Sequence, residues 1–238
     1  MRVLTLICTL LLSLSLSAAA ADSLLVAAGA GYKKPLTEIY AAFTQSTGTR
    51  VEAAFGNMQQ VLAQTRDSGR VDLVVGEKGF LSETGLFDRY LDLGRGRLVL
   101  AYGLKRLSGY QALAEPEVER IALPDPKKAI YGRAATQFLE RSGLLPKVKD
   151  KLMILATVPQ VSAYLIAGMV DAGFINITDA LGIQDKIAGF DEIPPALYDP
   201  PLIVLAIPKD RPESRAAKAL VHFLGSEQVK VILARYGL

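Results

Sequence analysis

The chain is poor in the residues that do covalent and metal chemistry. It has one cysteine, Cys8, one histidine, His222, and no tryptophan among 238 residues. A single thiol excludes a disulfide within the chain and a thiolate metal cage. A single imidazole excludes a His-rich metal centre, and "AKALVHFLGSE" places His222 in a C-terminal helix beside Phe223, where a structural role is expected. The sequence contains no G-x-S-x-G and no H-E-x-x-H. Asp72, Asp125, Asp171 and Asp179 are scattered over turns and strand starts and form no acid–base pair. Catalysis is therefore not expected.

Charge of one sign is also lacking. Basic residues number 27 and acidic residues 24, interspersed in sign, a balance too mild for nucleic acid. The longest apolar run is at the start. "MRVLTLICTLLLSLSLSAAAAD" has one Arg, an apolar stretch and small residues suited to cleavage after Ala19 to Ala21. The run is shorter than the ~20 apolar residues of a membrane span. Residues 1–21 are thus expected to be a signal peptide. Cys8 lies before the apolar core, so it belongs to that signal and is not a lipid-attachment site. The mature chain then lacks cysteine, which suits a bacterial periplasm or cell surface.

Half of the chain is hydrophobic, enough for a substantial core. "SLLVAAGAG" predicts a strand running into a glycine-rich loop, and "PLTEIYAAFTQSTG" a helix with Leu36, Ile39, Tyr40 and Phe43 on one face. "TRVEAAF", "MQQVLAQTRDSG" and "VDLVVGE" continue as strand, helix, strand. The second half repeats the style. "RLVLAYGL", "ERIALPDP", "LMILAT", "DAGFINITDA" and "PLIVLAIP" read as strands, "YGRAATQFLERSG" and "VPQVSAYLIAG" as helices, and the end as two helices split near Gly225. Alternating strands and helices predict an α/β protein. Five loops lead from strands into helices: "AAGAGYKKP", "AAFGNMQQ", "PDPKKAIYGRA", "LATVPQ" and "FINITDA". Helix starts beyond strand ends are where open α/β sheets bind anionic ligands.

Several stretches together resemble the periplasmic molybdate-binding proteins of ABC transporters. These are "VAAGAGYKKPLTEIYAAFTQSTGTRVEAAFG", "VDLVVGE", "DPKKAIYGRAATQFLERSGLLPKVKDKL", "VPQVSAYLIAGMVDAGFINITDA", "DPPLIVLAI" and the terminal "RYGL". The resemblance spans nearly the whole mature chain. It implies the two-lobed type II periplasmic-binding fold, each lobe a mixed, mostly parallel sheet flanked by helices, with ligand in the cleft between. Residues 22–97 plus 205–238 would form lobe 1 and 105–196 lobe 2, with 98–104 and 197–204 as hinge strands. It further implies a monomer that captures a tetrahedral oxyanion, molybdate or tungstate first, and hands it to a membrane permease. No cofactor is implied, nor a metal coordinated directly by protein. The alternatives are a different small ligand in the same cleft, or a sensory rather than a transport receptor.

In such a family, neutral donors hold the anion: backbone N–H groups at helix starts, serine hydroxyls and a tyrosine. Here the first-loop serine falls on Gly31, the second-loop serine on Met58 and the late-strand tyrosine on Asn176. Tyr131 and Val158 fall on positions that give mainly backbone contacts. Each lost charge-assisted hydrogen bond costs roughly 1.5–3 kcal/mol, so two losses weaken an anion site about a hundredfold or more. Restoring serine at positions 31 and 58 is expected to strengthen molybdate binding. Tyr32 and Asn57 are the candidate replacement donors, Asn57 doubling as a helix cap. Met58 either packs into its lobe or lines the cleft. Of Lys33, Lys34, Lys127 and Lys128, at least three are expected on the solvated surface.

Overall fold

The computed structural model describes residues 23–238. The leader expected over residues 1–21 lies outside them. The strands are β1 (Ser23–Gly29), β2 (Arg50–Gly56), β3 (Leu73–Glu77), β4 (Phe87–Arg95), β5 (Leu98–Tyr102), β6 (Ile121–Pro124), β7 (Leu152–Leu155), β8 (Ala172–Asn176), β9 (Gly189–Glu192) and β10 (Leu202–Pro208). The helices are α1 (Lys33–Thr47), α2 (Met58–Ser68), α3 (Lys78–Ser82), α4 (Ile130–Arg141), α5 (Leu145–Val148), α6 (Val158–Ile166), α7 (Ile177–Leu181), α8 (Arg215–Leu224) and α9 (Glu227–Arg235). Among the described residues, no helix is long and apolar enough to cross a membrane.

Packing rather than propensity decides α1. It carries threonine at 37, 44 and 47, each costing up to about 0.7 kcal/mol as a weak helix former. Leu36, Ile39, Tyr40 and Phe43 are buried at helical spacing, and full burial of each aliphatic or Phe side chain supplies about 1.5–3 kcal/mol. The helix starts at Lys33, two residues before Pro35, which sits harmlessly in the first turn. Gly48, at φ 73°, ends it.

Ten strands form two sheets of five, ordered β2-β1-β3-β10-β4 and β7-β6-β8-β5-β9. In each, three neighbours run parallel. The fourth strand runs against them and the fifth pairs antiparallel to the fourth. Four of five strands in each sheet thus point one way. The sheets are mixed, as expected, with helices packed on them: α1 and α2 on the first, α4 and α6 on the second.

The passages between lobes differ from the expected hinge strands. Residues 98–102 are not a crossing: β5 pairs along its length with β8 and β9 inside the second sheet. Its run of fully buried residues, Leu98 to Tyr102, requires neighbours on both sides. The chain crosses first at Gly96–Arg97 and returns over residues 193–201, before β10 enters the first sheet. The two passages touch where the Gly96 N–H donates to the Pro201 carbonyl at 2.8 Å.

Candidate functional site

Four helix starts, two from each lobe, converge on one cavity between the sheets. It is lined by Gly29–Tyr32 before α1, Gly56–Met58 at α2, Ala129–Tyr131 at α4 and Thr157–Val158 at α6. In each lobe the strands that feed these helices are the corresponding outer parallel pair, β2 and β1 or β7 and β6. The cavity is thus set beyond strand carboxyl ends, with helix dipoles turned toward it. Among the described residues, no charged side chain lines it. Its volume is ≈ 20 Å³, room for about one water.

The lobes meet through direct hydrogen bonds around this cavity. The Met58 N–H, first donor of α2, reaches the Lys128 carbonyl at 2.8 Å. The Tyr32 and Tyr131 hydroxyls lie 2.6 Å apart. Asn176 Nδ2 donates to the Gly31 carbonyl at 2.9 Å. Asn57 Nδ2 reaches the Ala156 carbonyl at 3.5 Å. At the rim, Lys34 Nζ sits 3.3 Å from Asp179 Oδ1, and buried Asp179 also accepts from the Ser162 hydroxyl. Arg133 stacks over Phe80, 3.7 Å from the ring centroid. Burial is the main cause that pushes both cavity tyrosines above the usual phenol range. Both therefore stay protonated donors at neutral pH.

The residues singled out in the sequence separate into two groups. Gly31, Tyr32, Asn57, Met58, Tyr131 and Val158 all line the cavity; Asn176 does not. Its amide is turned onto Gly31, and its buried Oδ1 has no hydrogen-bond partner. Asn57 is spent as a cap: its Oδ1 accepts from Gln60 N at 3.0 Å while Gln60 Oε1 accepts from Asn57 N at 2.9 Å. That reciprocal pair is a capping box. Met58 lines the cavity, and its side chain is 1 % exposed and packed into lobe 1. A Cβ at Gly76 would come within 2.5 Å of Met58 Cε, so the missing side chain at Gly76 makes the slot for the thioether.

None of the four lysines lines the cavity. Lys34 is held by Asp179, and Lys128 by Asp125 at 3.2 Å. Lys33 lies over the Phe55 ring, and Lys127 is exposed. His222 is exposed on α8. Three of the scattered aspartates do structural work. Asp72 accepts from Leu25 N and Arg211 Nε, Asp125 from Lys127 N, and Asp171 from Glu119 N and Arg120 N. Thr157 was missed. It caps α6, accepting from Gln160 N at 3.4 Å, and lines the cavity. Its signal is Thr with Gln three residues on, ahead of an apolar run. Gly96 was missed too: a Cβ there would overlap the Tyr131 hydroxyl, so the tyrosine pair rests directly on the interlobe passage.

Known proteins share this fold. The chain is 27% identical over 235 residues to the molybdate-binding protein ModA of Rhodobacter capsulatus, covering 96% of this chain and 92% of that one. The fold matches the periplasmic molybdate-binding protein of Azotobacter vinelandii with a TM-score of 0.82 at 23% identity, over 90% of this chain and 97% of that one. It also matches the sulfate-binding protein SubI of Mycobacterium tuberculosis, with a TM-score of 0.76 at 15% identity, over 91% and 86%. These likenesses establish the two-lobed type II periplasmic-binding fold. Residues 24–238 match the family described as bacterial extracellular solute-binding protein, and the chain belongs to that family.

Proposed function

We propose that this protein is the extracytoplasmic solute-binding subunit of an ABC importer. It captures a small oxyanion between its lobes, molybdate or tungstate first, and delivers it to a membrane permease. One observation carries the reading: four helix N-termini from two lobes meet at a cavity lined by no charged side chain. Oriented N–H groups and hydroxyls in a site closed to water stabilise a dianion without a countercharge that would hold it against release. The similarity to molybdate-binding proteins supports the choice of anion. A leader over residues 1–21 accords with export to the periplasm, where the protein acts as a monomer.

The closed cleft holds less than a tetrahedral oxyanion, so capture requires the lobes to part around the Gly96–Pro201 contact and close again on the solute. The Met58 N–H then exchanges the Lys128 carbonyl for a solute oxygen.

A second reading keeps the cleft and changes the solute, serving uptake or sensing. Gly31 and Met58 offer no hydroxyl, and the Asn176 amide is engaged with Gly31. A thermal-shift panel of the mature protein separates the two: molybdate, tungstate, sulfate, phosphate and small organic anions. A ligand at 100 times its Kd adds about 2.7 kcal/mol, a rise of roughly 5–10 °C for a chain of this size. A shift with molybdate or tungstate supports the first reading. A shift with an organic anion alone selects the second.

A further inference from the structure

The Tyr32–Tyr131 contact contains a proton that the protein does not use. Two hydroxyls carry two protons, and one proton makes the 2.6 Å bond between them. Neither hydroxyl has another hydrogen-bond partner among the described residues, although both residues are only 1 % exposed. One buried phenolic O–H is therefore without an acceptor. Such a group costs free energy until it finds one. Both tyrosines line the cavity, which has room for about one water, so the acceptor that reaches the spare proton is a water there or a solute atom that displaces it. Aromatic packing fixes the pair: the rings lie tilted with centroids 6.3 Å apart, and both hydroxyls press against Gly96, where any side chain would intrude.

The geometry points to the Tyr32–Tyr131 hydroxyl pair as the solute's side-chain donor, replacing the hydroxyls that positions 31 and 58 lack. This rests on the oxyanion reading above and names the residues that carry it. The ligand class follows from the chemistry: an anionic oxygen, which accepts a short charge-assisted O–H···O⁻ bond and offers no proton of its own. One hydroxyl comes from each lobe, Tyr32 from the loop before α1 and Tyr131 from α4. The inner hydroxyl donates to the outer one, and the outer one donates to the solute. Each bond polarises the next, so binding tightens the contact that holds the lobes together. Affinity and closure are thereby coupled through a single chain of hydrogen bonds.

The test is calorimetric titration of the mature protein with molybdate and, in parallel, sulfate. Tyr32→Phe, Tyr131→Phe and the double variant are compared with wild type. Loss of a charge-assisted hydrogen bond predicts that at least one single variant binds about 10- to 150-fold more weakly. The larger loss marks the hydroxyl that faces the solute. The double variant should lose little more than the worse single one, because the two act as a unit. Gly96→Ala keeps both hydroxyls but displaces that of Tyr131, and should weaken binding as well. Thermal melts accompany each titration. Variants that melt lower yet bind molybdate as wild type does would show a packing role only and overturn the donor role. Wild-type protein that binds neither anion overturns the oxyanion reading itself, and the donor role with it.

Discussion

Gly132→Ala sets two quantified effects against each other. Gly132 is the third residue of α4, inside the "YGRAA" stretch, and its backbone has no positive φ. On helix propensity alone, alanine gains about 1 kcal/mol over glycine. The surroundings oppose it. A Cβ at this position overlaps the Pro124 carbonyl oxygen and stands 2.7 Å from both the carbonyl carbon and oxygen of Asp125. Ordinary contact begins at 3.4 Å, so α4 must withdraw by at least 0.7 Å, the difference between the two values. The obstacles are backbone atoms at the end of β6 and cannot rotate aside. Overpacking of this kind costs about 1–3 kcal/mol, and an unyielding backbone puts it at the upper end. The net expectation is a loss of about 1–2 kcal/mol, or roughly 2–8 °C in Tm. The same withdrawal carries Tyr131 from its 2.6 Å bond to Tyr32 to the edge of hydrogen-bonding range. Oxyanion affinity should therefore fall together with stability. Thermal melts and titrations of Gly132→Ala are read beside Gly225→Ala, where the new Cβ meets nothing closer than 3.4 Å. That control should be neutral. A Gly132→Ala protein as stable as wild type would mean that propensity wins and that the close approach of α4 to the end of β6 does not constrain the site.

Three further outcomes are expected. The buried tyrosines titrate above the usual phenol range, so above about pH 10 the unfolded chain binds fewer protons than the folded one. Stability should hold up to that pH and fall beyond it, and alkaline melts of Tyr131→Phe should fall less steeply. Met58→Ser vacates the slot at Gly76 and should cost about 2–4 kcal/mol of stability. It also adds a hydroxyl at the cavity lining, so molybdate should bind about tenfold more tightly in calorimetry. Gly31→Ser behaves differently: its Cβ stands 3.2 Å from the unpartnered Asn176 Oδ1 and 3.3 Å from Nδ2, so the amide must give by a few tenths of an ångström to admit it. The new hydroxyl should donate to that oxygen, adding about 1 kcal/mol in denaturant melts and leaving molybdate affinity unchanged. Tighter binding by Gly31→Ser would refute the assignment of its hydroxyl to Asn176.

The legible parts of the sequence are those where one local signal suffices. Apolar runs bounded by turn residues marked β1, β3, β5 and β10, and the spacing of Leu36, Ile39 and Phe43 marked α1. The strand-to-helix loops found the cavity because a helix start after a parallel strand is a local feature. Of the four edge strands, β2 and β7 were legible as strands, but β4 and β9 were not. β4, "FDRYLDLGR", pairs on one side only and keeps its charged residues in solvent. β9 is four residues long and equally exposed in part. The site's finer geometry is set by partners far away in sequence. Tyr32 and Tyr131 are 99 residues apart, and nothing local aims either hydroxyl at the other. Met58 looked like a substituted donor. Its burial depends on a missing side chain at Gly76, 18 positions on. Asn176 stood for a lost tyrosine, yet its amide direction is decided by the Gly31 carbonyl across the lobe boundary. The hinge strands were misplaced for the same reason. β5 looks like any apolar strand, and only its neighbours β8 and β9 assign it to the second sheet.

The order β2-β1-β3-β10-β4 has a consequence for how the chain acquires its shape. The second sheet is built from one uninterrupted stretch, β5 to β9, and has all its strands once residue 192 has emerged. The first sheet cannot finish then. Its fourth place stays open until β10 arrives, and β3 and β4 meanwhile present unpaired edges. Vectorial emergence thus imposes a sequence of events: lobe 2 condenses early, while lobe 1 waits through about a hundred residues for its closing strand and pays the slow search that such distant pairing entails. A chain cut short before residue 202 would hold a finished lobe 2 beside an open, association-prone sheet, which makes the last strand the point at which the protein becomes safe from its own edges.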